Sequence, residues 1–310
     1  MQAFSISDLG PSPFLPGFRL VDAFLPSGIR LRAAVSAPAV HAAAKTPLMM
    51  VHGHPHNHLV WRKVAAQLVN ERPVVLPDLR GYGDSDKPAS DAEHRPYSKR
   101  VMADDLASLA KGLGWRQFDF VGHDRGGRVG HRLMLDHAQA VRKGVFVDIA
   151  PTATMYARTD MAFASRYFWW FFLIQPYPFP ERLIASDPAY FVHCHIDRQN
   201  KIPGAVEPEV LADYVRCYSD PAMEHAVCED YRAAATIDLA DDAADADKRI
   251  TAPLLLLWGE MGTVGKLYDV VETWREKATD VRGRALPCGH SPEEEVPEVF
   301  LSALQAFLDD

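Results

Sequence analysis

The sequence predicts an α/β fold, with a mostly parallel sheet covered by helices on both faces and one helical insertion. Short apolar runs alternate with segments of helical periodicity near both ends of the 310-residue chain. Residues 152–248 break this alternation and contain no clear buried strand. Apolar residues make up 48% of the chain, which is enough to bury a sizeable core. Alternating strands and helices are typical of a parallel sheet that is buried on both faces.

The predicted strands are short runs of mostly apolar residues, and several end at a glycine or a carboxylate. They lie at 29–36, 48–53, 73–78, 118–124, 143–151, 253–259 and 282–287. The predicted helices have apolar residues three or four positions apart, and the second of them begins at a serine and ends at a glycine, as helices often do. They lie at 58–69, 98–114, 128–138, 266–278 and 297–308.

These elements predict an α/β core made of residues 1–151 and 249–310, with residues 152–248 inserted as a helical cap over the sheet. The insertion is rich in aromatic residues and prolines and has helix-like segments. Its end, DLADDAADADKR at 238–249, is acidic and low in complexity. Such runs are usually solvated, so we predict a linker there.

Composition argues against several classes of protein. The formal net charge is −8 and no long basic run occurs, so nucleic acid is not an expected partner. The longest apolar stretch, residues 168–174, is too short to cross a bilayer, and the N-terminus lacks the pattern of a secretory signal. We therefore expect a soluble, cytoplasmic protein. The four cysteines, which have no metal-type or disulfide-type spacing, are Cys194, Cys217, Cys228 and Cys288.

A candidate nucleophile lies in the stretch VGHDRGG at 121–127, which follows a predicted strand and opens a helix. This is the shape of a nucleophile elbow, with Asp124 in the place of the usual serine and with glycines at 122 and 126 that leave room for a tight turn. A carboxylate can displace a leaving group from an alkyl carbon and form an ester. The helix N-terminus would favour the anion. The alternative is an aspartate that only caps the helix.

An elbow of this kind predicts an acid and a histidine further along the chain. Asp148 ends the next strand and His290 follows the last one, at the ends of strands where active sites of such sheets gather. We predict that His290 is the general base for the hydrolytic water and that Asp148 orients its ring. Glu260, after the strand at 253–259, is the rival acid.

Four histidines alternate in VHGHPHNHL at 51–59. No nearby carboxylate or cysteine completes a set of metal ligands, so we do not predict a metal site. The stretch ends an early strand, where an oxyanion donor is expected. The backbone N–H groups of His54 and Arg125 are the predicted donors, and the His54 ring is expected to project into the pocket.

Seven motifs together make the chain resemble the haloacetate dehalogenases, including the fluoroacetate dehalogenases, of the α/β-hydrolase superfamily. GHDRGGR with CEDYRA is fairly specific to this group, whereas HGxP and GYGDSDKP are shared much more widely. The motifs are HGHP (52–55), DLRGYGDSDKP (78–88), GHDRGGR (122–128), VDIAPT (147–152), FLIQPYPFPE (172–181), CEDYRA (228–233) and GHSPEEEVPE (289–298).

The resemblance implies hydrolysis of small 2-haloacids to hydroxy acids by an enzyme with no cofactor, typically a homodimer. It implies that Arg125 and Arg128 bind the substrate carboxylate, a role that suits two guanidinium groups beside a nucleophile. A buried arginine could instead pair with a core carboxylate. The resemblance also implies that Trp170 and Tyr231 donate to the leaving halide.

Two positions depart from the family pattern, and both concern the halide. Trp169 stands where the family has a histidine, and His54 stands where it commonly has phenylalanine. An indole N–H is still a donor, so Trp169 is a further candidate for the halide pocket. Its larger ring changes the volume of that pocket, so whether fluoride can be the leaving group is an open question. Packing within the cap is the alternative interpretation of both tryptophans.

Two other functions remain open at this point. An epoxide hydrolase also uses an aspartate, a histidine and an acid, but it activates a neutral epoxide with two cap tyrosines and has no need of two arginines. A non-catalytic protein that binds a small acid is the second alternative, and the set Asp124, Asp148 and His290 argues against it. Cap tyrosines are available at Tyr156, Tyr167, Tyr190, Tyr214 and Tyr218.

Overall fold

The computed structural model describes residues 3–36 and 45–310, which form one nine-stranded sheet flanked by helices. The strands are β1 (Ser5–Pro11), β2 (Phe18–Phe24), β3 (Arg30–Ser36), β4 (Leu48–Val51), β5 (Val74–Pro77), β6 (Phe118–His123), β7 (Val141–Val147), β8 (Leu254–Gly259) and β9 (Val281–Leu286). Their spatial order is β1-β2-β3-β5-β4-β6-β7-β8-β9. The pairs from β5 to β9 are parallel, and β1 to β3 extend the sheet by antiparallel pairing. The predicted α/β architecture is confirmed.

The central strands are buried on both faces. Every residue of β4, β5 and β6 is buried, which explains why β4 and β5 read as continuous apolar runs without alternation. In β6 the buried Asp119 pairs with Arg72 and Arg142. The first two strands, β1 and β2, were not predicted from the sequence. β1 lies at the sheet edge with nearly every residue exposed, so its sequence carries no apolar pattern. In β2, Phe18, Val21 and Ala23 are buried and the other residues are partly or fully exposed, so its alternation is incomplete and gives only a weak signal of a strand.

The helices connect the strands and begin or end close to the predicted positions in most cases. A short 3₁₀ turn at His58–Trp61 precedes the first of them. They are α1 (Arg62–Leu68), α2 (Lys99–Gly112), α3 (Arg125–Asp136), α4 (Thr152–Ala157), α5 (Met161–Arg166), α6 (Trp169–Phe172), α7 (Phe179–Ile184), α8 (Pro188–Gln199), α9 (Pro208–Tyr218), α10 (Pro221–Ala235), α11 (Ile237–Ala244), α12 (Thr263–Leu267), α13 (Val270–Arg275), α14 (Pro292–Glu295) and α15 (Pro297–Asp309). None of the helices in the described residues has the length and apolarity needed to cross a membrane.

One predicted helix, 266–278, is wrong in detail because the chain forms two helices there. Between α12 and α13 the side chain of Asp269 accepts a hydrogen bond of 3.1 Å from the backbone N–H of Glu272. A capping aspartate of this kind starts a new helix, which periodicity of apolar residues alone does not reveal.

Between β7 and β8 the chain forms the helices α4 to α11, which we call the helical insertion. The linker predicted at 238–249 is wrong, because α11 covers residues 237–244. Its acidic residues are not simply solvated: Asp242 and Asp245 pair with Arg132 of α3, the first at 3.0 Å. Neutralisation by this arginine and the helix propensity of the alanines allow a charged stretch to fold.

The carboxyl ends of the central strands meet at one edge of the sheet. The register pairs Val51 of β4 with Gly122 of β6, and His123 of β6 with Val147 of β7. The loops that follow these strands therefore begin at the same level. Since parallel strands expose their carboxyl ends together, this edge is where a site would be expected.

Candidate active site

A sharp turn at the end of β6 holds Asp124 above the sheet. The backbone of Asp124 has φ +46°, an uncommon conformation for a residue other than glycine. Glycines make the turn possible, because a Cβ atom on Gly126 would lie 2.3 Å from the carbonyl oxygen of Val51. A Cβ atom on Gly53 would lie 2.4 Å from the Cβ atom of Asp124. The strain and the close packing fit the elbow that the sequence predicts.

The side chain of Asp124 does not cap α3, since it makes no capping hydrogen bond. Instead its Oδ1 accepts a hydrogen bond of 3.1 Å from the backbone N–H of His54. Burial would raise the pKa of Asp124, but the charges of His290, Arg128 and Arg125 outweigh burial and hold that pKa below its ordinary value. The group is therefore a carboxylate at neutral pH, as a nucleophile must be.

His290 lies between Asp148 and Asp124. Its Nδ1 donates to Oδ2 of Asp148 at 2.6 Å, and its Nε2 is 3.9 Å from Oδ2 of Asp124. The other oxygen of Asp148 accepts from the backbone N–H of Gly259 at 3.0 Å. Glu260, the rival acid, is exposed, so the geometry favours Asp148 as the partner of His290.

The pKa of His290 is set by opposing effects. Burial lowers it, whereas the hydrogen bond from His290 to Asp148 and the charges of Asp148 and Asp124 raise it, and the pKa lies above its ordinary value. Asp148 thus orients the ring and stabilises its charged form. This is the arrangement that general-base catalysis by a histidine requires.

Arg125 pairs with a core carboxylate, which was the alternative to substrate binding for a buried arginine. Its Nε donates to Oδ2 of Asp230 at 2.6 Å, and its Nη2 donates to the Asp230 carbonyl oxygen at 2.9 Å. Asp230 also accepts from Tyr82 Oη at 2.7 Å and from Lys99. The remaining nitrogen of Arg125, Nη1, is buried without a hydrogen-bond partner among the described residues. One donor is therefore left for a ligand.

Arg128 differs from Arg125 in having no carboxylate within 4 Å among the described residues. Its Nη1 donates to the carbonyl oxygen of Ala150 at 3.1 Å and to Oγ1 of Thr152 at 3.0 Å. Its Nε is buried and has no partner within the described residues. Burial lowers the pKa of Arg128, against the attraction of Asp124. A guanidinium stays charged even so, and the attraction of Asp124 acts on this cation without a direct ion pair among the described residues.

Aromatic rings of the helical insertion cover both arginines. The guanidinium carbon of Arg125 lies 4.2 Å from the ring centre of Tyr231, and that of Arg128 lies 4.7 Å from Trp170. Such stacking stabilises a cation and holds it in place. The indole N–H of Trp170 and the hydroxyl of Tyr231 make no hydrogen bond within the described part of the chain, so both are available as donors.

Trp169 is buried on α6 and packs against a residue that the sequence analysis did not single out. Its ring centre is 4.4 Å from that of His195 on α8. His195 in turn lies 4.4 Å from the ring of His54, at an interplanar angle of 89°. The two positions that depart from the family pattern are therefore joined by a third ring. Nothing in the spacing of α8 indicates this contact, which depends on how α6 and α8 pack.

The four alternating histidines have different surroundings. His52 Nε2 accepts from the backbone N–H of Leu79 at 3.0 Å, and His58 Nδ1 donates to Asp78 at 2.8 Å. His54 faces the helical insertion, whereas His56 packs on the ring of Tyr214. Within residues 3–36 and 45–310 no group of three or more potential ligands has the arrangement of a metal site.

The candidate cap tyrosines are not equivalent. Tyr190 is 69% exposed and faces solvent. Tyr214 donates to Glu294 at 3.0 Å, and Tyr218 Oη lies 2.9 Å from Nε2 of His54. The hydroxyl of Tyr156 is buried without a partner among the described residues, and its ring lies 5.0 Å from that of Trp170. Tyr167 is buried and packs on Trp169.

Sequence reasoning missed two residues that shape this site, Asp230 and His195, and it named Tyr218 only as a cap tyrosine, without its contact with His54. Asp230 was detectable in principle, because it lies in the CEDYRA motif beside Tyr231. The partner of a predicted buried arginine is worth seeking among such acids. No comparable signal exists for His195 or for the contact of Tyr218 with His54.

The chain matches the family profile described as alpha/beta hydrolase fold over residues 46–295. It is 39% identical to the fluoroacetate dehalogenase of a Burkholderia species over 264 residues, which cover 85% of this chain and 87% of that protein. It is 29% identical to the soluble epoxide hydrolase of a Corynebacterium species, over 86% of this chain and 92% of that protein.

Among solved structures, a candidate acyltransferase from Salmonella enterica superposes with a TM-score of 0.95. The two chains are 60% identical, and the superposition covers 97% of this chain and 98% of that one. These relatives share a fold but carry three different names, so the chemistry must be argued from the residues of the site.

Proposed function

This chain belongs to the α/β-hydrolase fold family, and from that premise we propose that it hydrolyses small 2-haloacids to 2-hydroxy acids. The 39% identity to a fluoroacetate dehalogenase supports this function, as do the motifs noted in the sequence. The residues proposed to act are Asp124 as nucleophile, His290 with Asp148 as general base, and two arginines as the carboxylate site. A homodimer and a cytoplasmic location, expected from the sequence, stay predictions.

The observation that carries the proposal is that Arg128 has no carboxylate within 4 Å among the described residues. Arg125 has Asp230 as its counter-ion, whereas Arg128 is paired only with neutral groups among the described residues. A buried cation without a counter-ion is costly, and a substrate carboxylate would supply the missing charge. The free donors Nη1 of Arg125 and Nε of Arg128 would bind it.

The first chemical step is a displacement. With the substrate carboxylate held by the arginines, an Oδ atom of Asp124 attacks the α-carbon of the haloacid. A carbon–oxygen bond forms as the carbon–halogen bond breaks, and the halide leaves with the bonding electron pair. The indole N–H of Trp170 and the hydroxyl of Tyr231 would stabilise the charge on the departing halide.

The second step hydrolyses the ester on Asp124. His290 takes a proton from water, and the water oxygen attacks the carboxyl carbon of Asp124. The backbone N–H of His54, together with the predicted N–H of Arg125, would stabilise the oxyanion that forms. Collapse of this intermediate breaks the ester bond, and His290 returns its proton to the oxygen of the departing hydroxy acid. The second proton of the water is then released to solvent, which restores the Asp124 carboxylate.

Epoxide hydrolysis is the second candidate, because one specific observation favours it besides the 29% identical relative. The unpartnered hydroxyl of Tyr156 lies in the insertion near the arginines, where it could activate an epoxide oxygen with Tyr231. A neutral epoxide, however, would not supply the carboxylate that is absent from direct contact with Arg128 in the described part of the chain. For that reason we favour the haloacid.

Two other functions fit the site less well. Acyl transfer, named for the Salmonella relative, usually proceeds through a serine or cysteine nucleophile, and the elbow here carries Asp124. A protein that only binds a small acid would have no need of the strained turn at Asp124 or of the hydrogen bond between His290 and Asp148.

The proposal is tested by halide release from fluoro-, chloro- and bromoacetate. We expect chloride or bromide release that Asp124→Asn abolishes, since an amide cannot act as the nucleophile. Asp269→Asn, a change of the same type at a helix cap far along the chain, is the control and should retain activity. Turnover of terminal epoxides without release of any halide would overturn the haloacid assignment in favour of the second candidate.

A further inference from the structure

The ring of His54 lies beside the nucleophile, at a position where the resembled family commonly has phenylalanine. Its backbone N–H is 3.1 Å from Oδ1 of Asp124, which brings the residue into the site. The ring centre is 5.6 Å from that of Tyr231 and 4.4 Å from that of His195. Tyr231 is the insertion residue proposed to face the leaving group. The ring of His54 thus lies on the same side of the site.

The hydrogen bond of His54 to Tyr218 determines where the ring carries its proton. Burial lowers the pKa of His54 to about 3, so the ring is neutral and has one N–H. Nε2 lies 2.9 Å from the hydroxyl oxygen of Tyr218. That hydroxyl has no other hydrogen-bond acceptor among the described residues, so it donates its proton to Nε2. The ring proton of His54 must then be on Nδ1.

The Nδ1 atom of His54 is buried and has no hydrogen-bond partner in the described part of the chain. A buried N–H without an acceptor costs free energy, unless a ligand supplies the acceptor. Nδ1 is bonded to Cγ and therefore lies near the main chain of His54, whose own N–H faces Asp124. Nε2 points instead toward Tyr218. The unused donor is thus at the main-chain end of the ring of a residue whose backbone N–H contacts Asp124.

We propose that the Nδ1–H group of His54, held in this tautomer by Tyr218, donates a hydrogen bond to the leaving group of the substrate. The identity of that leaving group as a halide rests on the proposed function. As the carbon–halogen bond breaks, negative charge develops on the halogen, and a fixed donor stabilises it more in the transition state than in the ground state. A phenylalanine at this position offers no such donor.

The backbone and the ring of His54 would have different tasks. The backbone N–H of His54 is the expected oxyanion donor in ester hydrolysis, and any side chain except proline leaves it in place. The ring would act in the earlier displacement. His54→Phe therefore removes the ring donor alone, and its effects should fall on halide binding and on the alkylation step.

The first experiment determines the tautomer by NMR of protein labelled with ¹⁵N-histidine, with His54→Phe used to assign the signal. We expect the wild-type ring to carry its proton on Nδ1, and Tyr218→Phe to change the tautomer. Tyr214→Phe is the matched control, since Tyr214 is a buried tyrosine one turn earlier on α9 that donates to Glu294 instead. A proton on Nε2 in the wild-type protein would overturn the proposal.

The second experiment measures binding of chloride and bromide through quenching of tryptophan fluorescence. Because hydrogen bonds to charged acceptors are comparatively strong, we expect His54→Phe to weaken halide binding by about 10-fold. Tyr218→Phe should weaken it less, and the double variant should bind no more weakly than His54→Phe, since Tyr218 acts through His54. Equal halide binding by the wild type and His54→Phe contradicts the proposed donor.

These measurements do not depend on turnover, so the two proposals can fail separately. If no haloacetate is hydrolysed but halide binding still requires the His54 ring, the proposed function fails and the donor remains. If haloacetates are hydrolysed while His54→Phe alters neither halide affinity nor the rate of the halide burst, the donor role fails and the function remains. Tyr214→Phe should behave as wild type in both assays.

Discussion

The two sides of the site are held in place in different ways. On the sheet side, Asp124 and Asp148 follow adjacent parallel strands, and both have positive φ angles, +46° and +50°. On the other side, Trp169, Trp170 and Tyr231 lie on helices α6 and α10 of the insertion, and they contact the site through ring packing and cation–π stacking. The sheet side depends on turns that only a few sequences can form, whereas the insertion side depends on how helices pack.

This difference bears on which substitutions each side of the site can accept. On the sheet side, a Cβ atom on Gly126 or Gly53 would lie 2.3 to 2.4 Å from a neighbouring atom, so the strained turn that holds Asp124 tolerates few substitutions. Packed rings can be exchanged for other rings at smaller cost, which permits variation at positions such as 54 and 169. We therefore expect changes on the sheet side to abolish turnover and changes on the insertion side to alter selectivity.

The largest effect is expected for His290→Gln on the sheet side. The ester would form but could not be hydrolysed, so steady-state turnover should fall by about 10²- to 10⁴-fold, the usual contribution of a general base. Rapid quench should show one halide released per enzyme, and mass spectrometry should show Asp124 alkylated. His225→Gln, at a partly exposed histidine of α10, is the control. Loss of the halide burst in His290→Gln would mean that His290 also acts in the displacement.

The next effect concerns the arginine that lacks a counter-ion. Arg128→Lys keeps the charge but removes the forked donor geometry, so kcat/KM for haloacetates should fall by roughly 10- to 100-fold, mainly through KM. Arg132→Lys is the matched control one turn further along α3, where the side chain pairs with Asp242 and Asp245. Similar losses in both variants would show that the effect is structural and would remove the main support for the carboxylate site.

Lowering the pH should separate the two chemical steps on the sheet side. The pKa of His290 is raised and that of Asp124 is lowered, so His290 becomes protonated first as the pH falls. Only neutral His290 can act as a base, so kcat should fall about tenfold per pH unit below its pKa. The halide burst should persist at these pH values. A burst that declines together with kcat contradicts this order of protonation.

The smallest effect is expected at Trp169 on the insertion side. Trp169→Phe keeps an aromatic ring beside His195 but removes the indole N–H, so halide release should fall by only about 2- to 10-fold, the range for one hydrogen bond. The loss should differ between fluoride and chloride. Trp115→Phe, which changes a tryptophan packed on Phe118 near the end of α2, is the control. An unchanged halide profile would favour a packing role for Trp169.

Much of the sheet side could be predicted from the sequence because its constraints are local. A strand of apolar residues, a turn with two glycines and a helix start occur within ten residues around Asp124. The positions of Asp148 and His290 follow from the rule that loops after parallel strands share one edge. These roles remain to be tested by the experiments above, but the residues themselves were found without coordinates. The fold and its family were predicted correctly on the same grounds.

The insertion side required the tertiary structure. The contacts of His54 with Tyr218 and His195 join residues up to 164 positions apart, and no periodicity or motif links them. The acidic stretch at 238–249 was misjudged for a similar reason, since Arg132 on a distant helix neutralises it. Long-range packing also decided that Arg125 pairs directly with Asp230 and that Arg128 has no carboxylate within 4 Å in residues 3–36 and 45–310. The sequence shows which chemical groups lie near a turn. Only the packing of distant segments determines which buried charge or hydrogen-bond donor has no partner within the protein and can bind a substrate.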